Sequence, residues 1–384
     1  MALERSLISR LLIIGVSAVA VSYADLSPRP GQAATYDYMA PQVAPPIASG
    51  LSMDQIAAIL NQTAPNPPYL DAYGQTTTND ATRSTAGLAP VKVVQTDDSY
   101  HPYLGVFHSL VTTKFATYLA YSGDLKTWHT RGAIDDIVNM DFGSQPDIRI
   151  LPDDSVLFAE EYNGAKVKQP QIRVRYYGNV GTLKGLQAFI LDPILEPTYE
   201  KILPSMPFSH ADGTPEFGRI QYNGSILSAK IEISHHYFYL GTRDIQAVGT
   251  LTNFQTWSDA TDTATDTLVT NAGGNGKIGD REVFKVGSTV YEVVEAQVHP
   301  ASGGDYSSWR LFLINKTAGT IRQLTPMLVG GALSLGNPTV SFVTLPPTSG
   351  VRRGVHALVF TCFVFSENSK DTPPGGHMFI YPLE

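Results

Sequence analysis

The chain has 384 residues, 43% of them hydrophobic and 10% aromatic, with a formal net charge of −8, so there is apolar material for a large packed core. The acidic balance, and the lack of any run of Lys or Arg, argue against a nucleic-acid partner, which would require a basic face. A single cysteine excludes a disulfide within the chain.

Residues 1–24 carry Arg5 and Arg10, then an apolar run from Leu11 to Val21, then small residues through Ala24. This is the layout of a secretory signal peptide, with a second candidate cut near Ala33-Ala34. The apolar run is shorter than the roughly 18 residues that span a bilayer. The expectation is a secreted, extracellular protein with no membrane contact after signal cleavage. Residues 25–87 read as a Pro-rich linker carrying one short helix. Within it, Ser52 offers an N-cap, Asp54 a first-turn carboxylate, and Ile56, Ile59 and Leu60 apolar residues at helical spacing.

From residue 88 to 384, β-branched and aromatic alternation takes over with frequent turn signals. Five short segments each open a hydrophobic strand pair: Leu88-Ala89-Pro90, Gln145-Pro146-Asp147, Thr214-Pro215-Glu216, Asp280-Arg281-Glu282 and Asn337-Pro338-Thr339. Starts separated by roughly 55 to 70 residues fit four-stranded blades with long insertions, each burying its faces only against its neighbours. The fold class expected is all-β, a five-bladed β-propeller with a short N-terminal helical extension. A second recurring element supports it: Ser122-Gly123-Asp124-Leu125 before Trp128, and Leu251-Thr252-Asn253-Phe254 before Trp257. Both tryptophans read as packing between blades. Cys362, in Val-Phe-Thr-Cys-Phe-Val-Phe, reads as a buried strand thiol. Asp259 to Thr267 and the Gly-rich stretch 272–277 read as exposed connections; the latter lacks the Gly-Lys-Ser/Thr ending that cradles phosphates. No Gly-x-Ser-x-Gly elbow is present to support a serine hydrolase.

The segment from Tyr103 to Trp128, ending in Ser-Gly-Asp-Leu-Lys-Thr-Trp, resembles the first blade of glycoside hydrolase family 43 and related five-bladed propeller glycosidases. Gln145-Pro146-Asp147 is similar to that family's second-blade motif, and the resemblance makes Asp147 the residue that tunes the general acid. Thr214-Pro215-Glu216 is similar to the third-blade motif, making Glu216 the proton donor. The resemblance spans the body as architecture and only these short segments as motif. It departs where the family opens its first blade with Asp-Pro: here Ala89-Pro90 stands, and the base is missing. Asp97, Asp98 or Asp80 are the nearby substitutes, and loss of hydrolysis with retention of binding is the alternative. The resemblance implies a carbohydrate substrate; no cofactor is expected, with a structural calcium ion at the channel, held by a histidine as in the family's relatives, as the one addition it allows, and the chain is expected to be a monomer. His108, His356 and His377 are candidates among which no motif selects.

Bottom-up chemistry points to the same place. Acids that begin the innermost strands of successive blades converge at one mouth of the channel, so Asp147, Glu216 and Glu282 are expected to meet. Paired carboxylates carry out glycoside hydrolysis, and clustering raises one member's pKa so that it stays protonated. His210 and Asp212, just before the third motif, are candidate substrate contacts on the rim, as are Arg281 and Glu282. The competing reading is structural, with acids that accept backbone N–H bonds and an Arg281 held in an internal ion pair. His235-His236 selects no metal, because neighbours on a strand point to opposite faces.

Overall fold

The computed structural model describes residues 36–39, 44–62, 92–96, 102–178 (with short breaks at 112–113, 126–127 and 136–138), 196–299, 306–326, 334–345, 354–365 and 375–383. Strand β1 (Tyr36–Met39) and helix α1 (Met53–Asn61) precede the body. Blade 1 holds β2 (Lys92–Gln95), β3 (Tyr103–Val111), β4 (Lys114–Ser122) and β5 (His129–Ala133). Blade 2 holds β6 (Gly143–Ile150), β7 (Val156–Tyr162), β8 (Gln171–Tyr177) and β9 (Tyr199–Ile202). Blade 3 holds β10 (Ser209–Tyr222), β11 (Lys230–Tyr239), β12 (Arg243–Thr252) and β13 (Thr256–Thr261), followed by helix α2 (Thr263–Asn271). Blade 4 holds β14 (Ile278–Val286), β15 (Thr289–Gln297), β16 (Trp309–Asn315) and β17 (Thr320–Gln323). Blade 5 holds β18 (Leu335–Leu345), β19 (Val355–Val364) and β20 (Gly375–Pro382). Each sheet is an antiparallel meander, and β1 adds to the inner edge of blade 3, Tyr36 opposite Tyr222 and Met39 opposite Arg219.

The five sheets form a five-bladed β-propeller. The inner strands β2, β6, β10, β14 and β18 contact one another around the axis, and the apolar clusters lie between blades. Val94, Leu104, Ile148 and Phe158 join blades 1 and 2; Leu157, Val174, Phe217 and Ile231 join blades 2 and 3. Trp128 and Phe107 pack with Val359 and Ile380 to join blade 1 to blade 5, which closes the ring. That closure is hydrogen-bonded as well. The Gln95 side chain donates to the Thr344 carbonyl (3.3 Å) and accepts from the Thr344 amide (2.8 Å), and Ser341 Oγ donates to the Val93 carbonyl (2.7 Å).

The tryptophan motifs are turns. Ser122 Oγ accepts from the amides of Asp124 and Leu125, Leu125 takes a left-handed φ of 62°, and Trp128 Nε1 donates back to the Leu125 carbonyl. Cys362 is buried in β19. In α1, Ser52 and Gln55 form a capping box, and Ile56, Ala57 and Leu60 bury against Phe284, Leu313 and Leu324 of blade 4. One expectation is corrected: 263–271 is a helix, not an exposed connection. Asp262 caps it, its side chain accepting from the Thr265 amide, and Val269 anchors it on Ile278 and Phe312. The Thr-rich composition hid the helix because β-branched residues weaken intrinsic propensity, while cap and packing supply the stability.

Candidate active site

The recurring motifs are β-bulges. Pairing slips between Ser144 and Asp147, between Gly213 and Glu216, between Ile278 and Arg281, and between Gly336 and Thr339, in each case where the inner strand begins. In three of them the residue before proline has a left-handed φ: Gln145 49°, Thr214 44°, Asn337 47°. Such backbone costs of order 1–3 kcal/mol, and bulges re-aim the side chains that follow. In blades 2, 3 and 4 the residue so placed is an acid, Asp147, Glu216 and Glu282; in blade 5 it is Thr339.

Asp147, Glu216 and Glu282 do converge, and they converge on cations. Arg149, two residues beyond Asp147 and therefore on the same face of β6, places Nη1 2.5 Å from Asp147 Oδ1 and Nη2 3.7 Å from Glu216 Oε1 and 3.6 Å from Glu282 Oε1. Lys92 ion-pairs with Glu282 and stands 3.7 Å from Asp147. The acids also staple blade to blade. The Phe217 amide donates to Asp147 Oδ2 (2.7 Å), and the Val283 amide donates to Glu216 Oε1 (2.7 Å). Glu282 precedes Val283 as Glu216 precedes Phe217, an equivalent place in the strand, but it is held by Lys92 and Arg149 and, among the described residues, not by an amide of the next blade.

All three side chains are buried, Glu216 to 2% exposure. Burial, with the negative charge of Asp147 adding to it and Lys92 opposing, pushes the Glu216 carboxyl up to about 8. Its Oε2 has no hydrogen-bond partner, and neither has Glu282 Oε1. Burial, then the charge of Arg149, lowers Lys92 to about 8. Nearer the mouth, Asp280 is raised well above the carboxylate range by burial and by Glu295, and Glu295 is raised by burial to about 7. Glu295 accepts from the amides of Asp280 (2.9 Å) and Asn337 (2.5 Å), and so holds two bulges. His108 Nδ1 accepts from the Gln145 amide (3.1 Å), and burial lowers the ring to about 4, which keeps it neutral. Gly213 has no side chain because Glu161 and His236 crowd the place a Cβ would take. The axial cavity, lined by Lys92, His108, Asp147, Glu216, Glu282 and Asn337 among others, leaves about 30 Å³ to a water-sized sphere. That holds water, not a sugar ring.

The other sequence candidates are dispersed. Arg281 borders the axial cavity, but its guanidinium is engaged elsewhere: Nη1 meets Asp262 (2.8 Å) and Glu292 (3.5 Å), and Nη2 donates to the Ala247 carbonyl. The internal ion pair replaces the substrate contact expected of it. Asp212 is buried and accepts from Ser209 Oγ (2.7 Å); His210 is exposed on the rim, edge-on to Phe238. Asp80, Ala89, Asp97 and Asp98 lie outside the described residues. Of the three histidines considered for an ion, His108 lines the axial cavity. His356 bonds Thr344 on the latch between blades 5 and 1, and His377 stacks on Phe379 in β20. Among the described residues no three acid, His or Cys side chains are grouped to hold a metal, and Lys92 and Arg149 put positive charge at the axis, so the donor set does not fit a cation.

Sequence reasoning missed Lys92, Arg149, Asp280 and Glu295. The period of two along a strand would have found Arg149 from Asp147 and Asp280 from Glu282. A lone lysine heading the apolar run Lys92-Val93-Val94 was the signal for the third.

No family model and no curated protein matches the chain. Solved structures similar to it include an N-acetylgalactosamine deacetylase from F. plautii in complex with blood group B trisaccharide, at 12% identity, 84% of this chain, 94% of that chain and TM-score 0.48. An α-L-arabinofuranosidase of Fusarium graminearum, of glycoside hydrolase family 93 and in complex with arabinobiose, is similar at 12%, 81%, 97% and 0.47. A Bacillus subtilis arabinanase is similar at 11%, 78%, 95% and 0.47. At these identities the likeness is one of fold.

Proposed function

We propose that this protein is an exported, carbohydrate-active propeller: a glycoside hydrolase in which Glu216 protonates the leaving oxygen and Glu282 activates water. The observation that carries the reading is the pair itself. Burial raises the Glu216 carboxyl to about 8 and its Oε2 has no hydrogen-bond partner, while Glu282 is ion-paired through its two oxygens to Lys92 and Arg149. A carboxyl group raised by burial, beside a second one paired to cations, offers the acid and the base that glycoside hydrolysis requires. Glu282 takes the role that the resemblance gives to a first-blade acid, because blade 1 contributes Lys92 to the cluster instead. Asp147 holds Arg149 against Glu216 and so positions the acid. The cavity between the blades is of a size for the water; in this reading a saccharide approaches Glu216 from the side bordered by Gln145 and Asn337, two of the residues that line the cavity.

A second reading, glycan binding without turnover, is favoured by the same 30 Å³ and by the ion pairs that occupy Asp147 and Glu282. Incubation with a panel of arabinose- and xylose-containing polysaccharides separates the two. The hydrolase reading expects release of reducing sugar that Glu216→Gln reduces by roughly 10²–10⁴-fold, with folding intact because the carboxamide oxygen still accepts from the Val283 amide. Retained glycan binding with no release from the parent chain establishes the second reading and removes the first.

A further inference from the structure

The roomier cavity lies elsewhere, on the outer part of blade 2, with about 280 Å³ open between the end of β5 and strands β7, β8 and β9. Beside it lies a buried network of arginines and carboxyl groups. Arg173, fully buried, donates to both oxygens of Asp141 (2.7 Å each), to Asp135 (2.7 Å) and to Glu160 (2.6 Å), and its guanidinium lies 4.0 Å from the centre of the Tyr162 ring. Arg175, two residues on and on the same face, shares Asp135 (2.7 Å) and Glu160 (2.8 Å) through Nη2. Its Nε stands 3.7 Å from Glu200, which in turn pairs with Lys166 at 2.9 Å. These contacts lock the walls before any ligand arrives, which is the condition for a built binding site.

The wall chemistry selects the ligand. Three acids, Asp141, Glu196 and Glu200, line the cavity with two cations, Arg175 and Lys166, beside aromatic surface from Tyr162 and Tyr177; Asp141 and Glu200 are already paired, with Arg173 and with Lys166. An anion would meet the carboxylates and a cation the arginine and lysine, so either pays for an unfavourable pairing. A hydroxyl group both donates and accepts, and so can bond to the acids and to the cations of this wall without bringing a charge of its own. We infer that this cavity binds a neutral, hydroxyl-rich ring of about one monosaccharide, at a site separate from the axial carboxylates. The choice of a sugar over another neutral polyol rests on the carbohydrate reading given above; the site itself rests on the cavity and its walls.

Titration of the full chain with L-arabinose, D-xylose and D-galactose, with D-glucuronate and D-glucosamine as charged controls, tests it by calorimetry and saturation-transfer NMR. The expected result is saturable binding of at least one neutral sugar that Glu200→Gln and the exposed-site variant Lys166→Gln each weaken at least tenfold. Glu216→Gln is expected to leave that binding unchanged. Melting temperatures near that of the parent show that the variants are folded, and Lys166, 61% exposed, keeps the test sharp should Glu200→Gln unfold. Absence of saturable binding by all three neutral sugars overturns the inference, as does binding that survives both blade-2 variants or that prefers a charged control. Failure of the hydrolase reading shows instead as no turnover on the polysaccharide panel, so either proposal can fall alone.

Discussion

Lys92 is the residue on which the axial cluster turns. It is the cation that blade 1 supplies to a site where the resemblance leads one to expect an acid, and it lies against a Glu282 that is 1% exposed. A buried pair of this kind adds little over an apolar replacement of both partners, but removing one partner leaves an uncompensated charge and costs roughly 3–5 kcal/mol. Lys92→Met is therefore expected to destabilise the chain by that amount in urea unfolding, while Lys92→Met combined with Glu282→Gln regains most of it. A double variant as unstable as the sum of its singles would show that the two side chains do not interact. The same residue illustrates what sequence reading passes over. One lysine in front of two valines looks like a strand end facing solvent, and only the ring of inner strands turns it toward three acids.

At the scale of elements, the bulged strand start is the unit that was legible. A polar residue before Pro recurs in blades 2, 3 and 5, with an acid after it in blades 2 and 3, because the inner strand there needs a kink that re-aims the next side chain, and that demand is local enough to leave a signature. The blade 4 start, Gly279-Asp280, bulges without proline, and its acidic residues alone made it readable. What holds the bulges was not legible, because the holders come from other strands. His108 of blade 1 takes the Gln145 amide of blade 2, and Glu295 of β15 takes amides from both its own blade and blade 5. Helix α2 was lost for a related reason: its stability lives in a cap and a tertiary contact, not in its Thr-rich sequence. Glu295→Ala tests the bulge argument. It removes the partner of two backbone amides, each costing about 1–3 kcal/mol when left unsatisfied. Hydrogen exchange of the Asp280 and Asn337 amides is expected to accelerate at least tenfold more than that of the Gln145 amide, which His108 still holds. Uniform acceleration would mean that Glu295 supports the whole fold and not these two turns.

Burial raises several acids across the whole molecule, and this sets how its stability responds to pH. Glu216 is raised to about 8, Glu160, Glu161 and Glu295 to about 7, and Asp266 to about 6, with burial the leading cause in each. In the unfolded chain these groups release their protons near pH 4 to 4.5. Between that range and pH 8 the folded state therefore binds more protons than the unfolded one, and linkage makes the unfolding free energy fall as pH rises through the window. Asp262 acts in the opposite sense. Despite its burial, Arg281 and Lys316 hold it well below the usual carboxylate range, so its contribution is present above about pH 4 and lost on further acidification. Lys92, lowered to about 8, releases its proton sooner in the folded state, which reverses the slope between pH 8 and about 10.5. The melting temperature is thus expected to be highest near pH 5 and to fall steadily to pH 8, and Glu216→Gln to flatten the upper part of that fall. A melting temperature higher at pH 8 than at pH 5 would contradict the burial of these acids. If Glu216 is also the proton donor, turnover must decline across the same upper limb as its carboxyl ionises. One titration then links the packing of the blades to the chemistry at their axis, since the burial that weakens the fold at pH 8 is what supplies the proton at pH 7.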